Sequence, residues 1–215
     1  MRDALARSNK PRRGRPPKGS DPAYSETRLS LIRTGLAVLT EKGYSYTGID
    51  EILKKAGVPK GSFYHYFKNK EAFGEILIDA YGKYFARKLE RWLEDTSMPP
   101  LQRLAAFVED AGRGMAVHEF KRGCLIGNLG QEMSALPESF RNQLTAVLQD
   151  WQQRTCKCLQ EAQQSGEMQT GLDAYEQAAF FWIGWEGAVL RAKLDQSTEP
   201  LNQFAAGFFR LIKAT

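Results

Sequence analysis

Gly57-Val58-Pro59-Lys60-Gly61-Ser62-Phe63-Tyr64-His65-Tyr66-Phe67 decides the fold. Just before it, Ile49, Ile52, Leu53 and Ala56 recur at helical spacing and give a short helix one apolar face. Gly57 supplies the backbone freedom a helix end needs. Val58 is apolar and suits the space between two helices. Pro59 fits a first helical position, where a missing N–H costs nothing. The helix expected next is short, with Lys60, Gly61, Ser62, Tyr64 and His65 near its start and Phe63 and Phe67 turned inward as anchors. Two helices joined by so tight a turn form a helix-turn-helix, whose second helix presents its first residues to base edges in the major groove.

Each side chain has a use in that setting. Lys60 can donate to guanine or phosphate, and Gly61 lets the backbone approach the duplex. Ser62 both donates and accepts. Tyr64 and His65 can reach phosphates or pack on a thymine methyl. Lys70, at the start of the following helix, is expected on a phosphate. A helical hairpin alone is common in proteins that never touch DNA. The whole string Gly-x-Pro-Lys-Gly-Ser-Phe-Tyr-x-Tyr-Phe-x-x-Lys is more specific. It resembles the recognition segment of TetR-family transcriptional regulators, as do Leu36, the turn Glu41-Lys42-Gly43-Tyr44, the helix start Thr47-Gly48-Ile49, and Lys70, Phe73 and Leu77. The resemblance adds Thr47 to the DNA-binding set.

Outward from this head, residues 1–23 read as an arm: they lack helical periodicity and hold four of the nine prolines. Seven basic residues and one acidic one give residues 1–20 a charge of +6, so the rest of a chain whose total is +5 sums to −1. The basic character therefore belongs to the arm, not to a general polyanion-binding surface. Pro11-Arg12-Arg13-Gly14-Arg15-Pro16-Pro17-Lys18 resembles an AT-hook, in which arginines such as Arg13 and Arg15 enter the narrow minor groove of A·T-rich DNA. A solvated tail adding only nonspecific affinity fits the same residues.

The remainder reads as helices near 24–42, 69–94, 101–117, 124–135, 138–165, 174–195 and 200–213, with no alternating strand pattern. The expected fold is all-α: the arm (1–23), a three-helix DNA-binding head (24–70) and a larger helical effector-binding and dimerisation body (71–215). Phe180, Phe181, Trp182, Ile183, Trp185, Ala188, Val189 and Leu190 cover nearly all sides of one late helix, and Leu201, Phe204, Phe208 and Leu211 stripe the last. A helix apolar all round must be covered all round. A packed core answers that need, and so does a homodimer made from these helices. The head favours the dimer, since two-fold symmetry sets two recognition helices on the half-sites of a palindromic operator. TetR-type regulators use that arrangement.

The resemblance also implies an effector cavity in the body, whose filling by a small molecule moves the heads out of register. The segments Lys121–Glu132 and Phe181–Ala188, with Arg191-Ala192-Lys193, are similar to the branch of the family that senses acrylate and other electrophiles. Cys124 supports this by its own chemistry. It follows Gly123 at an expected helix N-terminus beside Lys121 and Arg122, and both features lower a thiol's pKa. The other reading is a buried cysteine acting as a small hydrophobe. Asn128, Trp151, Trp185, Glu186 and Arg191 offer aromatic walls with a few polar groups, the usual lining of a small-ligand site. Arg191 or Arg122 can hold a carboxylate.

Cys156 and Cys158 stand two apart on a helix and point to opposite sides, which suits neither chelation nor a local disulfide. Neither histidine sits in a ligand cluster. No metal and no cofactor are expected, and with no phosphate loop or nucleophile–base set, no enzyme. No apolar run spans a bilayer and none resembles a signal peptide, so the expected setting is the cytoplasm, with free thiols and no membrane partner. Two competing functions keep the same head: a repressor switched by oxidation of Cys124, and an architectural binder of A·T-rich DNA without an effector.

Overall fold

The structure, a computed structural model, describes residues 22–214, with side chains from residue 24. Nine α-helices make up the described residues: α1 Pro22–Lys42, α2 Ile49–Ala56, α3 Phe63–Tyr66, α4 Lys70–Leu93, α5 Pro100–Val117, α6 Leu125–Gln131, α7 Glu138–Gln164, α8 Ala174–Asp195 and α9 Glu199–Ile212. Short 3-10 turns, Lys60–Ser62 and Met133–Ala135, precede α3 and α7. No strand occurs among the described residues, only a single bridge between Met168 and Lys213. The all-α expectation holds.

The head folds around phenylalanines. Phe63 and Phe67, with 0% and 3% exposure, meet Phe73 of α4 at ring separations of 5.4 and 4.5 Å. Burying each such ring contributes roughly 1.5–3 kcal/mol. Gly57 ends α2 in the left-handed conformation at φ 68°. The N–H of Val58 then returns to the Leu53 carbonyl at 3.0 Å, closing the helix end. Pro59 does not start an α-helix here. It precedes the 3-10 turn, and α3 begins only at Phe63.

The long helix α4 runs from the head into the body, where it packs on α5 and α7. Asn69 caps its start, accepting from the Ala72 N–H at 2.7 Å. Trp151 of α7 is fully buried between Phe85 of α4 and Trp182 of α8, with ring centres 4.3 and 5.0 Å away. The single helix expected over 124–135 is broken. After Gln131 the chain tightens into the Met133–Ala135 turn, which directs the Glu132 side chain onto the head.

Candidate DNA interface and effector cavity

The recognition segment leaves its polar side open. Lys60, Gly61, Tyr64 and His65 are exposed, Ser62 is half-buried, and Tyr64 keeps 68% of its surface. A side chain at Gly61 would meet nothing within 4 Å. Lys60 pairs with Asp50 of α2 at 2.6 Å, and both side chains remain largely in solvent. Such a pair is weak and yields readily to a phosphate. From the far side, the Tyr24 hydroxyl of α1 donates to the His65 carbonyl at 3.2 Å and holds α3 in place.

Two residues expected on DNA are placed elsewhere. Thr47 is 1% exposed, and its hydroxyl donates to the Gly43 carbonyl at 2.6 Å, so it builds the turn before α2. Lys70 is half-buried. Its ammonium lies 4.3 Å from the centre of the Tyr44 ring and donates to the Tyr44 carbonyl at 2.9 Å. Burial pushes its pKa down, with Glu132 acting the other way. The first turn of α4 packs so tightly on the α1–α2 turn that this lysine faces protein. Arg13 and Arg15 lie outside the described residues.

Where head meets body, α1, α4, α5, α8 and the segment 118–124 line a cavity of about 370 Å³. Its lining has two characters. Tyr81, Phe85, Met115, Trp185 and Val189 form an apolar part, which includes Cys124. Arg33, Lys88, His118 and Arg122 make a basic part. Lys88 is held by Asp110 at 2.9 Å. Arg122 stands 3.7 Å from Glu41, and its Nε is buried without a hydrogen-bond partner. Arg33 has no ion-pair partner among the described residues. This basic part suits a small anion.

Of the six expected cavity residues, only Cys124 and Trp185 line it. Trp151 belongs to the aromatic core behind. Arg191 lies on the protein surface, paired with Asp195 at 3.2 Å. Asn128 faces α1, donating its side-chain amide to the Thr40 carbonyl at 3.1 Å. Glu186 stands behind the thiol rather than in the cavity wall. Tyr81 and Arg33 were missed because both sit in helices that read as ordinary linking and packing segments.

Cys124 caps the start of α6, its sulfur accepting from the Gly127 N–H at 3.4 Å. The expected lowering of its pKa is reversed. Burial first, and the Glu186 carboxyl second, push the thiol well above its ordinary range, against the N–H groups of Gly127 and Ile126. The neighbouring cations do not help: Lys121 pairs with Glu119, and Arg122 turns to Glu41 and His118. Burial also pushes the Glu186 carboxyl up to about 7, opposed by its hydrogen bond with Cys124.

The floor of the cavity is tied to the head. The Gly123 N–H and the Asn128 amide both reach the Thr40 carbonyl, at 3.2 and 3.1 Å. Seven residues past Cys124 along the same segment, Gln131 ends α6 and Glu132 accepts from the Tyr44 and Ser45 N–H groups at 3.0 and 2.7 Å.

This architecture is matched by known proteins. Residues 31–75 match the family of bacterial regulatory proteins named for TetR, and residues 100–208 match the tetracyclin repressor-like C-terminal domain. The transcriptional regulator AcuR of Cereibacter sphaeroides is 57% identical over 94% of this chain and 91% of its own. The chain belongs to the TetR family. Two further relatives are helix-turn-helix-type transcriptional repressors by name: DhaR of Mycobacterium sp. strain GP1, 35% identical over 88% of this chain and 94% of its own, and NemR of Escherichia coli K12, 29% identical over 84% and 91%. A crystal structure of a TetR regulatory protein from Rhodobacter sphaeroides superposes with a TM-score of 0.85 at 56% identity, covering 86% of this chain and 98% of that one. Reduced NemR of E. coli superposes with 0.78 at 29%, covering 87% and 98%. Membership makes the chain a DNA-binding transcriptional regulator of a family that answers to small molecules. No helix among the described residues is long and apolar enough to cross a membrane.

Proposed function

We propose that this protein is a homodimeric, cytoplasmic repressor that leaves a palindromic operator when a small electrophilic carboxylate, acrylate or a close relative, enters the cavity. The observation carrying this reading is the two-part lining: a cysteine within an apolar part, and the basic groups Arg33, Lys88 and Arg122 nearby. An α,β-unsaturated acid has the matching two ends. Its carboxylate suits the arginines, and its β-carbon suits a sulfur nucleophile.

Lys60, Gly61, Ser62, Tyr64 and His65 meet the major groove in this reading, and Arg13 and Arg15 of the arm follow the adjacent minor groove. The two heads are joined through α8 and α9. The hydrogen bonds from Gly123, Asn128 and Glu132 to the end of α1 and its turn carry a shift of α6 to the head. Oxidation alone is the weaker switch, because a thiol with a raised pKa holds little of the reactive thiolate.

A gel shift on the DNA upstream of the protein's own gene tests the reading. Acrylate is expected to release the DNA. Propionate, with the same carboxylate and no double bond, is expected to do so far less well. DNA binding indifferent to acrylate at any concentration overturns the effector assignment.

A further inference from the structure

Glu186 is a half-buried acid with no ion-pair partner among the described residues. Its Oε1 is buried and has no hydrogen-bond partner. Its Oε2 occupies the space that a side chain on Gly127 would take, 1.9 Å from where that Cβ would stand. The same Gly127 donates its N–H to the Cys124 sulfur at 3.4 Å. Glycine at 127 therefore lets the carboxyl lie against the first turn of α6, beside the residue that caps it, with the Cys124 Cβ 3.7 Å from where the Gly127 Cβ would stand. Tyr81 lines the cavity beside the same thiol, and burial pushes its phenol well above its ordinary range. A buried carboxyl oxygen left without a partner costs stability. Packing alone does not explain it, since glutamine has the same shape without the charge.

We propose that Glu186 is the proton acceptor for Cys124, so that the pair adds the cysteine across the double bond of an α,β-unsaturated carbonyl compound in the cavity. This rests on the electrophile reading above and supplies its chemistry. As the sulfur bonds to the β-carbon, the thiol proton passes to the Glu186 carboxylate. The electron pair of the double bond moves onto the α-carbon and carbonyl as an enolate. The α-carbon takes up a proton from solvent and Glu186 releases its own, leaving a thioether and a free carboxylate. Atoms and electrons balance without an oxidant, reductant or leaving group. The base solves the difficulty a buried thiol poses: the sulfur need not ionise before it attacks. A general base of this kind contributes on the order of 100-fold or more when its pKa lies near the working pH.

The ionisable groups facing Glu186 are the Cys124 thiol at the start of α6 and the Tyr81 phenol of α4. Lys193, further along α8, packs its Cδ toward Gly123, and burial pushes its pKa down. Arg122 turns toward Glu41.

The test is alkylation of Cys124 by acrylamide, followed by peptide mass spectrometry on the full chain without DNA. Operator release by acrylate plays no part in it, so the effector reading and this one fail separately. The wild-type rate is expected to climb with pH through about 7, where half of the carboxyl is ionised, and to level off about one pH unit higher. Glu186→Gln is expected to react at least about tenfold more slowly at pH 7 and to lose the plateau. A Glu186→Gln protein that reacts as fast or faster overturns the proposal, because a carboxylate that merely repels a thiolate predicts acceleration. The wild-type profile decides without any variant: a rate still rising about tenfold per pH unit beyond pH 8 is that of an unassisted thiol, and it overturns the proposal too.

Discussion

The Glu132 carboxylate, just past the end of α6, accepts the backbone N–H groups of Tyr44 and Ser45 and so holds the turn between α1 and α2. Gly43, at φ 80°, makes the contact possible, because a Cβ there would fall 1.9 Å from Glu132 Oε1. Body and head thus meet at a carboxylate, without which two backbone donors lose their partner. Glu132→Ala is expected to lower unfolding free energy by about 2 kcal/mol, since hydrogen bonds to a charged group contribute roughly 1.5–3 kcal/mol each and part of this site is open to water. It should also blunt effector-driven release while leaving the cavity intact. Urea unfolding and effector titrations of a labelled operator check both. Full release with unchanged stability would remove Glu132 from the coupling.

Lys70 and Lys60 separate in a salt titration. Lys70 is spent on Tyr44, whereas Lys60 is exposed and only loosely paired with Asp50. Lys70→Ala is therefore expected to destabilise the head without changing the dependence of operator affinity on salt. Lys60→Ala is expected to reduce the slope of log K against log salt by about 1 if it meets a phosphate, or to relax base choice at one position if it meets a guanine. Fluorescence anisotropy at several salt concentrations distinguishes them. A slope lowered by Lys70→Ala and untouched by Lys60→Ala would return Lys70 to the DNA.

These two lysines also show what was legible in the sequence. The helices, the inward phenylalanines and the αL glycine followed from periodicity and turn chemistry, which act over a few residues. Lys70 and Asn128 were misread because their partners, Tyr44 and Thr40, are set by how separate helices close on one another, whereas the Thr47 hydroxyl turns back on Gly43 within its own turn. The Cys124 thiol failed differently. A helix N-terminus and two nearby cations lower a pKa only when water is present and the cations point inward. Here burial dominates, and the one charge that reaches the sulfur is a carboxyl from α8, 62 positions later in the chain. Local sequence carries no trace of that approach except Gly127, whose missing side chain makes room for it.

Arg122 lines the cavity, and its ion pair with Glu41 is long, 3.7 Å from Nε with no hydrogen bond, so it is the expected holder of a carboxylate. Arg122→Gln should raise the acrylate concentration needed for half-release by about tenfold, the lower end of what a charged hydrogen bond supplies. Release by acrylamide, which has the same double bond and no charge, should change little. Equal losses for both compounds would mean that Arg122 supports the cavity without touching the ligand.

Stability should carry a pH signature from Glu186. Its carboxyl is raised from an ordinary 4.5 to about 7 in the folded protein. The folded state therefore holds a proton that the unfolded state has released. The stabilisation is fully present below about 4.5 and is lost as pH rises through about 7, a contribution of about 3 kcal/mol. Glu186→Gln, unable to ionise, should remove that slope and become more stable than wild type at pH 8. Urea unfolding at pH 5 and pH 8 measures it. Parallel curves for the two proteins would show that the carboxyl is ordinary.

Phe180, Ile183, Leu190 and Leu194 stand along one face of α8 at helical spacing, with exposures of 48%, 76%, 41% and 69%. Leu211 of α9, 49% exposed, adds to the apolar surface of the same pair of helices. An apolar ridge of this kind invites a second surface, and two-fold pairing lets one ridge cover another. Ile183→Glu should leave the protomer folded, because this side chain touches little of its own chain. It should split the dimer, because two-fold symmetry brings in two buried charges for each substitution and forfeits about 1.5–3 kcal/mol of apolar burial per isoleucine. The operator then sees single heads, and binding should weaken by two orders of magnitude or more while circular dichroism stays unchanged. Sedimentation and anisotropy on the same sample read both effects. A variant that sediments as wild type, or a monomer that binds the operator at full strength, would show that α8 does not join the heads.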